Sequence, residues 1–127
     1  VPAQRYDIRI EVGADFFLSL AWMESDGETP IDLTGYEAKM QVREFHDDED
    51  ALLTLTSEVD GGIVLGDEDG TIEIHAVPAL TDLLPLSVSG TINGVYDIKL
   101  TSPSGVVTRF LEGRCRIASA VTREAPP

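Results

Sequence analysis

Alternation with a period of two runs through most of this chain, and no other property restricts its fold as much. Phe16, Leu18, Leu20 and Trp22 fall on one side of an extended segment, with Phe17, Ser19 and Ala21 on the other. Tyr36, Ala38, Met40 and Val42 alternate with Glu37, Lys39, Gln41 and Arg43, and Ile72, Ile74 and Ala76 alternate with Thr71, Glu73 and His75. Tyr96, Ile98 and Leu100 alternate with Asp97, Lys99 and Thr101, while Cys115, Ile117 and Val121 oppose Arg114 and Arg116. A helix buries every third or fourth residue, so none of these stretches buries a coherent face as a helix. Each predicts a strand with one dry and one wet face, the pattern of antiparallel sheets covered on one side.

Strands are expected near 5–12, 15–22, 36–45, 51–56, 62–65, 70–76, 94–101, 106–111 and 114–121. Turn chemistry separates them. Gly13-Ala14 parts the first two, Gly66-Asp67-Glu68-Asp69-Gly70 joins two short ones, and Glu112-Gly113 reads as a tight connection. Ser102-Pro103-Ser104-Gly105 combines a proline suited to the second turn position with a glycine able to take positive φ. One segment breaks the alternation: Pro78 suits a first helical turn, Pro85 stops it, and Leu80, Leu83 and Leu84 share a face. A single short helix is expected near 78–84. The fold class is all-β, an antiparallel β-sandwich of about 7–9 strands, with a closed barrel as the alternative. Residues 1–127 form one domain by length, and 1–4 and 124–127 read as flexible tails.

Charge narrows the function. The net charge is −14, and its distribution is uneven: residues 15–94 carry 18 acidic and 2 basic side chains, residues 95–127 carry 3 and 5. This disfavours nucleic-acid binding, which draws on clustered Lys and Arg. An acidic body with a mildly basic end suits head-to-tail packing or unlike-charged neighbours. No run approaches the ~20 apolar residues of a membrane helix and no charged-then-apolar leader opens the sequence, so a soluble, non-exported chain without membrane partners is expected. The single cysteine, Cys115, excludes an internal disulfide and any multi-cysteine metal site.

Sites of chemistry are sparse, and no cofactor is expected. Asp47, Asp48 and Asp50, with Asp67 and Asp69, supply oxygen ligands of the kind Ca²⁺ takes, but neither cluster has the alternate-position carboxylates of an EF-hand loop. A Ca²⁺-dependent binding module is one reading; a pair of wet turns is the plainer one. His46 and His75 stand far apart without a motif partner, and no Gly-x-Ser-x-Gly elbow supports a triad. Cys115 lies on an apolar strand face, where a thiol stays protonated. The chain is expected not to be an enzyme. Arg109, Arg114, Arg116 and Arg123 are candidate partner-interface residues, because the planar guanidinium binds carboxylates bidentately.

Several phrases, taken in order, resemble small proteins of tailed-bacteriophage virions. These are Gly13-Ala14-Asp15-Phe16; Pro30-Ile31-Asp32-Leu33-Thr34-Gly35-Tyr36-Glu37-Ala38 with Val42-Arg43; and Gly70-Thr71-Ile72-Glu73-Ile74 before the Leu80–Leu84 segment. Tyr96-Asp97-Ile98-Lys99-Leu100, Gly105 with Arg109, Gly113 and Val121-Thr122-Arg123 complete the series, from about residue 5 to 123. The resemblance implies an immunoglobulin-like sandwich of the kind found at the N-terminus of upper baseplate proteins, and it offers no catalytic residues. It further implies a structural or adaptor role in the tail, baseplate or collar, or as a capsid decoration protein. Other virion proteins would be the partners, with several symmetric copies present. The place of action would be the virion, after synthesis in the host cytoplasm. Ending at residue 127 without a receptor-binding module favours adaptor or decoration over fibre holding. The Pro30–Ala38 phrase itself reads as loop chemistry: Asp32 or Thr34 bonds nearby N–H groups, Leu33 anchors, and Gly35 turns the chain.

Overall fold

The computed structural model describes residues 4–45, 47–81, 84 and 91–118. Within them run nine strands: β1 (Gln4–Arg5), β2 (Ile8–Glu11), β3 (Phe16–Ala21), β4 (Glu37–Arg43), β5 (Leu53–Thr56), β6 (Ile63–Leu65), β7 (Thr71–Ala76), β8 (Thr91–Thr101) and β9 (Val107–Ala118). A 3₁₀ turn at Asp67–Asp69 precedes β7, and the short helix α1 (Pro78–Thr81) follows it. One sheet has six strands in the order β1-β9-β8-β4-β5, with β2 also paired to β9; the other is β3-β7-β6. Two separate layers exclude the barrel. The partition of strands between them is that of an immunoglobulin-like sandwich.

The alternation explains the layers. Ala38, Met40 and Val42, Leu53 and Leu55, and Tyr96, Ile98 and Leu100 face inward from the large sheet. Ile72, Ile74 and Ala76 face them from β7, with Phe16 from β3 and Ile63 from β6. Met40, Leu55, Ile72, Ile98 and Leu100 are completely buried. Thr81 is the buried polar side chain among the described residues; its hydroxyl donates to Ala14 O at 2.8 Å and ties α1 to the turn after β2.

Several expectations need correction. The strand expected over 5–12 is broken at Tyr6–Asp7, because Asp7 turns its carboxylate onto the Arg114 N–H at 2.9 Å. Gln4, expected in a loose tail, is paired with Leu111. Both β1 and β2 run parallel to β9, so the sandwich is not wholly antiparallel; alternation specifies faces and carries no information on direction.

The strands expected over 106–111 and 114–121 are one strand, and Glu112-Gly113 is not a turn. The register with β8 slips between Ile98 and Lys99, which pair with Leu111 and Arg109 and leave Phe110 as a bulge. The bulge flips the phase of the alternation, so one strand reads as two. Gly113 serves close packing instead: the carbonyl of Tyr6 occupies the place its Cβ would need.

β8 begins three residues earlier than expected, at Thr91, and α1 is four residues long, with Leu84 beyond it yet buried. A helix through 84 would need Asp82 and Leu83, which lie outside the described residues, as do 1–3, 124–127 and Val121.

Candidate functional site

Outward-facing residues of the six-stranded sheet carry every Lys and Arg among the described residues. Strand alternation turns Lys39 and Arg43 outward from β4, Lys99 from β8, and Arg109, Arg114 and Arg116 from β9; Arg5 and Arg9 extend the set along the β1/β2 edge. Eight cations therefore share one face with five carboxylates: Asp7, Glu11, Glu37, Asp97 and Glu112. Elsewhere the described residues hold sixteen carboxylates and neither Lys nor Arg. A shallow depression of about 340 Å³ on this face is bounded by Lys39, Arg43, Asp97, Lys99 and Arg109.

Register sets the pattern of charge. Lys39 stands directly opposite Lys99, and Lys99 opposite Arg109, so three cations cross three neighbouring strands in one row. The next row is Gln41, Asp97 and Glu112. Arg109 leans toward it, 3.6 Å from Asp97 and 3.5 Å from Glu112. Such half-exposed pairs contribute little, on the order of 0–1 kcal/mol. Arg43 is occupied differently, donating to Asp48 O at 2.6 Å and to Gln41 Oε1 at 2.9 Å, which folds the β4–β5 loop against the strand.

Of the arginines singled out from sequence, Arg109, Arg114 and Arg116 stand together on this face, and Arg123 lies outside the described residues. Lys39, Arg43, Lys99, Arg5 and Arg9 belong with them and were missed. Each sat at the wet position of its strand in the sequence, but only cross-strand register makes them neighbours.

Other candidates scatter. Asp47, Asp48 and Asp50 occupy the β4–β5 connection while Asp67 and Asp69 lie in the 3₁₀ turn before β7; among the described residues no three His, Cys, Asp or Glu side chains converge to hold a metal ion. His46 lies outside the described residues. His75 is on the wet face of β7 as expected, but it pairs with Asp15 at 2.7 Å and stacks on the exposed ring of Phe17 with centroids 4.2 Å apart. Glu73 beside it accepts from Ser19.

Cys115 is completely buried in β9, and burial pushes its thiol from 9.0 up to about 12. A thiol-specific reagent at neutral pH is expected to leave Cys115 untouched in the native protein and to titrate one thiol in denaturant. Rapid native labelling would refute its placement. Because ionisation is disfavoured in the folded state, this group leaves stability undiminished below pH 9.0 and erodes it as pH rises toward about 12.

The Pro30–Ala38 phrase builds a loop. Asp32 Oδ1 accepts from the Thr34 N–H at 2.9 Å and its hydroxyl at 2.6 Å; these bonds lower the Asp32 pKa. Leu33 is buried, and its N–H reaches Asp67 O at 2.8 Å, joining this loop to the 3₁₀ turn. Gly35 takes φ 81° where the chain turns into β4. In the same loop Asp26 accepts from the Thr29 hydroxyl, the Thr29 N–H and the Glu28 N–H, which hold its carboxyl down at about 2. At this end Trp22 packs edge-on to Tyr36 and tilted against Phe110.

No family model matches the chain, and no curated protein is similar to it. Solved structures resemble it. The extracellular domain of the voltage-gated sodium channel beta4 subunit, described as a parallel homodimer, is 11% identical over 95% of this chain and 97% of its own, with a TM-score of 0.45. Murine CRIg is 12% identical over 90% and 92%, with a TM-score of 0.34. Domains 3–5 of Drosophila OTK are 14% identical over 93% of this chain and 33% of theirs, with a TM-score of 0.30.

Proposed function

We propose that this chain is a non-catalytic docking module whose working surface is the outward face of the six-stranded sheet, and that it serves as a structural or adaptor component of a tailed-phage virion. The observation that carries the docking reading is the segregation of charge. A chain of net charge −14 places all its described Lys and Arg on one sheet face. Complementary potentials across an interface speed encounter and select partners more than they add affinity, so such a face suits a neighbour with an acidic surface. The virion reading is supported by the ordered series of phrases between residues 5 and 123.

The test uses gradient-purified particles of the phage that encodes the chain, analysed by mass spectrometry. Native protein is expected in the particles. A Lys39→Glu/Lys99→Glu/Arg109→Glu variant, with its melting temperature checked, is expected to fall at least about ten-fold in incorporation, a loss of ~1.4 kcal/mol of association. Absence of the native chain overturns the virion reading. Undiminished incorporation of the folded variant overturns the docking face.

A further inference from the structure

Granting that this sheet face is a docking surface, an inference resting on the reading above, we propose that its occupant is the acidic loop end of a second copy of this chain. The arrangement of charge on this face is unfavourable. Lys39, Lys99 and Arg109 are direct cross-strand neighbours on strands ~4.8 Å apart, and like charges so placed destabilise a sheet. Arg9 and Arg116 repeat the arrangement at the other end of β9. With 23 acids in the chain, none stands opposite Lys39 or Lys99, and neither lysine has an ion pair among the described residues.

The opposite imbalance lies at one end of the same molecule. The loop between β3 and β4 and the 3₁₀ turn before β7 are joined by the Leu33 N–H to Asp67 O bond and by Trp22 N–H to Gly70 O. Together they expose seven carboxylates, from Glu24 to Asp32 and from Asp67 to Asp69, with no Lys or Arg among them. The β8–β9 turn at this end adds neither sign, only the exposed Val106 and Val107.

One contact relieves both imbalances. The cation row lies on a face and the carboxylates lie at an end, so the contact joins different patches on the two copies. The pair then keeps one free patch of each kind, an acidic end on one copy and a cationic face on the other, and the association closes into a ring or propagates as a chain of subunits. The sheet face spans roughly 20 by 20 Å from its strand count and spacing. That is about half of the ~800 Å² a partner contributes to a standard interface, so association of the isolated protein is weak.

Salt dependence separates this arrangement from a uniformly acidic surface. A protein repelled by its own charge associates less as salt is removed, whereas opposite patches in contact associate more. The full chain is examined by sedimentation at about 20 mM and about 500 mM NaCl, conditions that move the screening length from roughly 20 Å to under 5 Å. The weight-average mass is expected to exceed 13.7 kDa in low salt and return to it in high salt. Lys39→Glu/Lys99→Glu and Asp67→Lys/Glu68→Lys/Asp69→Lys proteins, each with unchanged melting, are expected to be monomeric in low salt, and an equimolar mixture of them to associate.

A native chain that stays monomeric in low salt, an association indifferent to salt, or a mixture that fails to associate overturns the inference. If the native chain is monomeric while the sheet-face variant is still lost from particles, the docking face stands and its occupant is another acidic protein.

Discussion

Replacing Ile98 with alanine is expected to cost about 2–5 kcal/mol, the range for truncating a large buried aliphatic side chain. Ile98 is completely buried in the middle of β8, in register with Met40 of β4 and Leu111 of β9. All three project into the layer between the sheets, where the backbone ladders on both sides hold β8 in place. Collapse around the missing atoms is therefore limited, and both the lost transfer energy and the residual cavity contribute. Against a total stability of ~5–15 kcal/mol, this is a large fraction. Chemical denaturation should show a lower midpoint with an unchanged slope. The adjacent Lys99→Ala supplies the contrast: it points outward within a row of like charges and is expected to stay within about 0.5 kcal/mol of the native protein. Equal effects from the two substitutions would refute the assignment of faces on β8.

Gly113→Ala is expected to destabilise by roughly 2–4 kcal/mol, far more than a single added methyl on an exposed strand. Gly113 has no special need of backbone freedom, since it sits inside β9 opposite Tyr96. What it provides is room for the Tyr6 carbonyl, which accepts the hydroxyl of Tyr96, a side chain only 4% exposed. Burial, with nearby acidic groups, raises the Tyr96 pKa, so the hydroxyl remains a donor throughout the ordinary range. A Cβ at 113 displaces Tyr6 and leaves that hydroxyl buried without its acceptor. It also strains the β1 pairing, where Tyr6 N–H reaches Glu112 O at 2.8 Å. Denaturation of Gly113→Ala beside Tyr96→Phe checks the mechanism. The first should be clearly the more damaging, because it adds a steric overlap to the loss of the same hydrogen bond. A change of a few tenths of a kcal/mol for Gly113→Ala would refute it.

Much of the fold was legible because its information is local. β3, β4, β7 and β8 were found within a few residues, each declaring its dry face through its own alternation. The Ser102–Gly105 turn was equally readable. Gly105 takes φ 92° and donates its N–H to Ser102 O at 2.9 Å, as a proline–glycine turn predicts. The Asp32–Gly35 loop was legible as one held by a local side-chain bond from Asp32 or Thr34, and the structure makes Asp32 the acceptor, since an aspartate two residues before a threonine meets its N–H by short-range geometry alone. Errors gathered where two distant segments meet. The bulge at Phe110 hid the continuity of β9, and Gly113 resembled turn punctuation because Tyr6, more than a hundred residues earlier, is absent from any local window.

The candidate surface divides along the same line. Three of its arginines were visible as a cluster late in the sequence, but its two lysines were not, because Lys39 and Lys99 lie 60 residues apart along the chain. By itself, the order of residues determined that there would be strands, which side of each would be wet, and that the molecule as a whole would be acidic. Partition into two sheets, the parallel direction of β1 and β2, and the row from Lys39 through Lys99 to Arg109 were decided only by tertiary structure. The reason is geometric: alternation assigns each side chain to a face of its own strand, whereas neighbours across strands follow from register, and register is settled by the packing of the whole core.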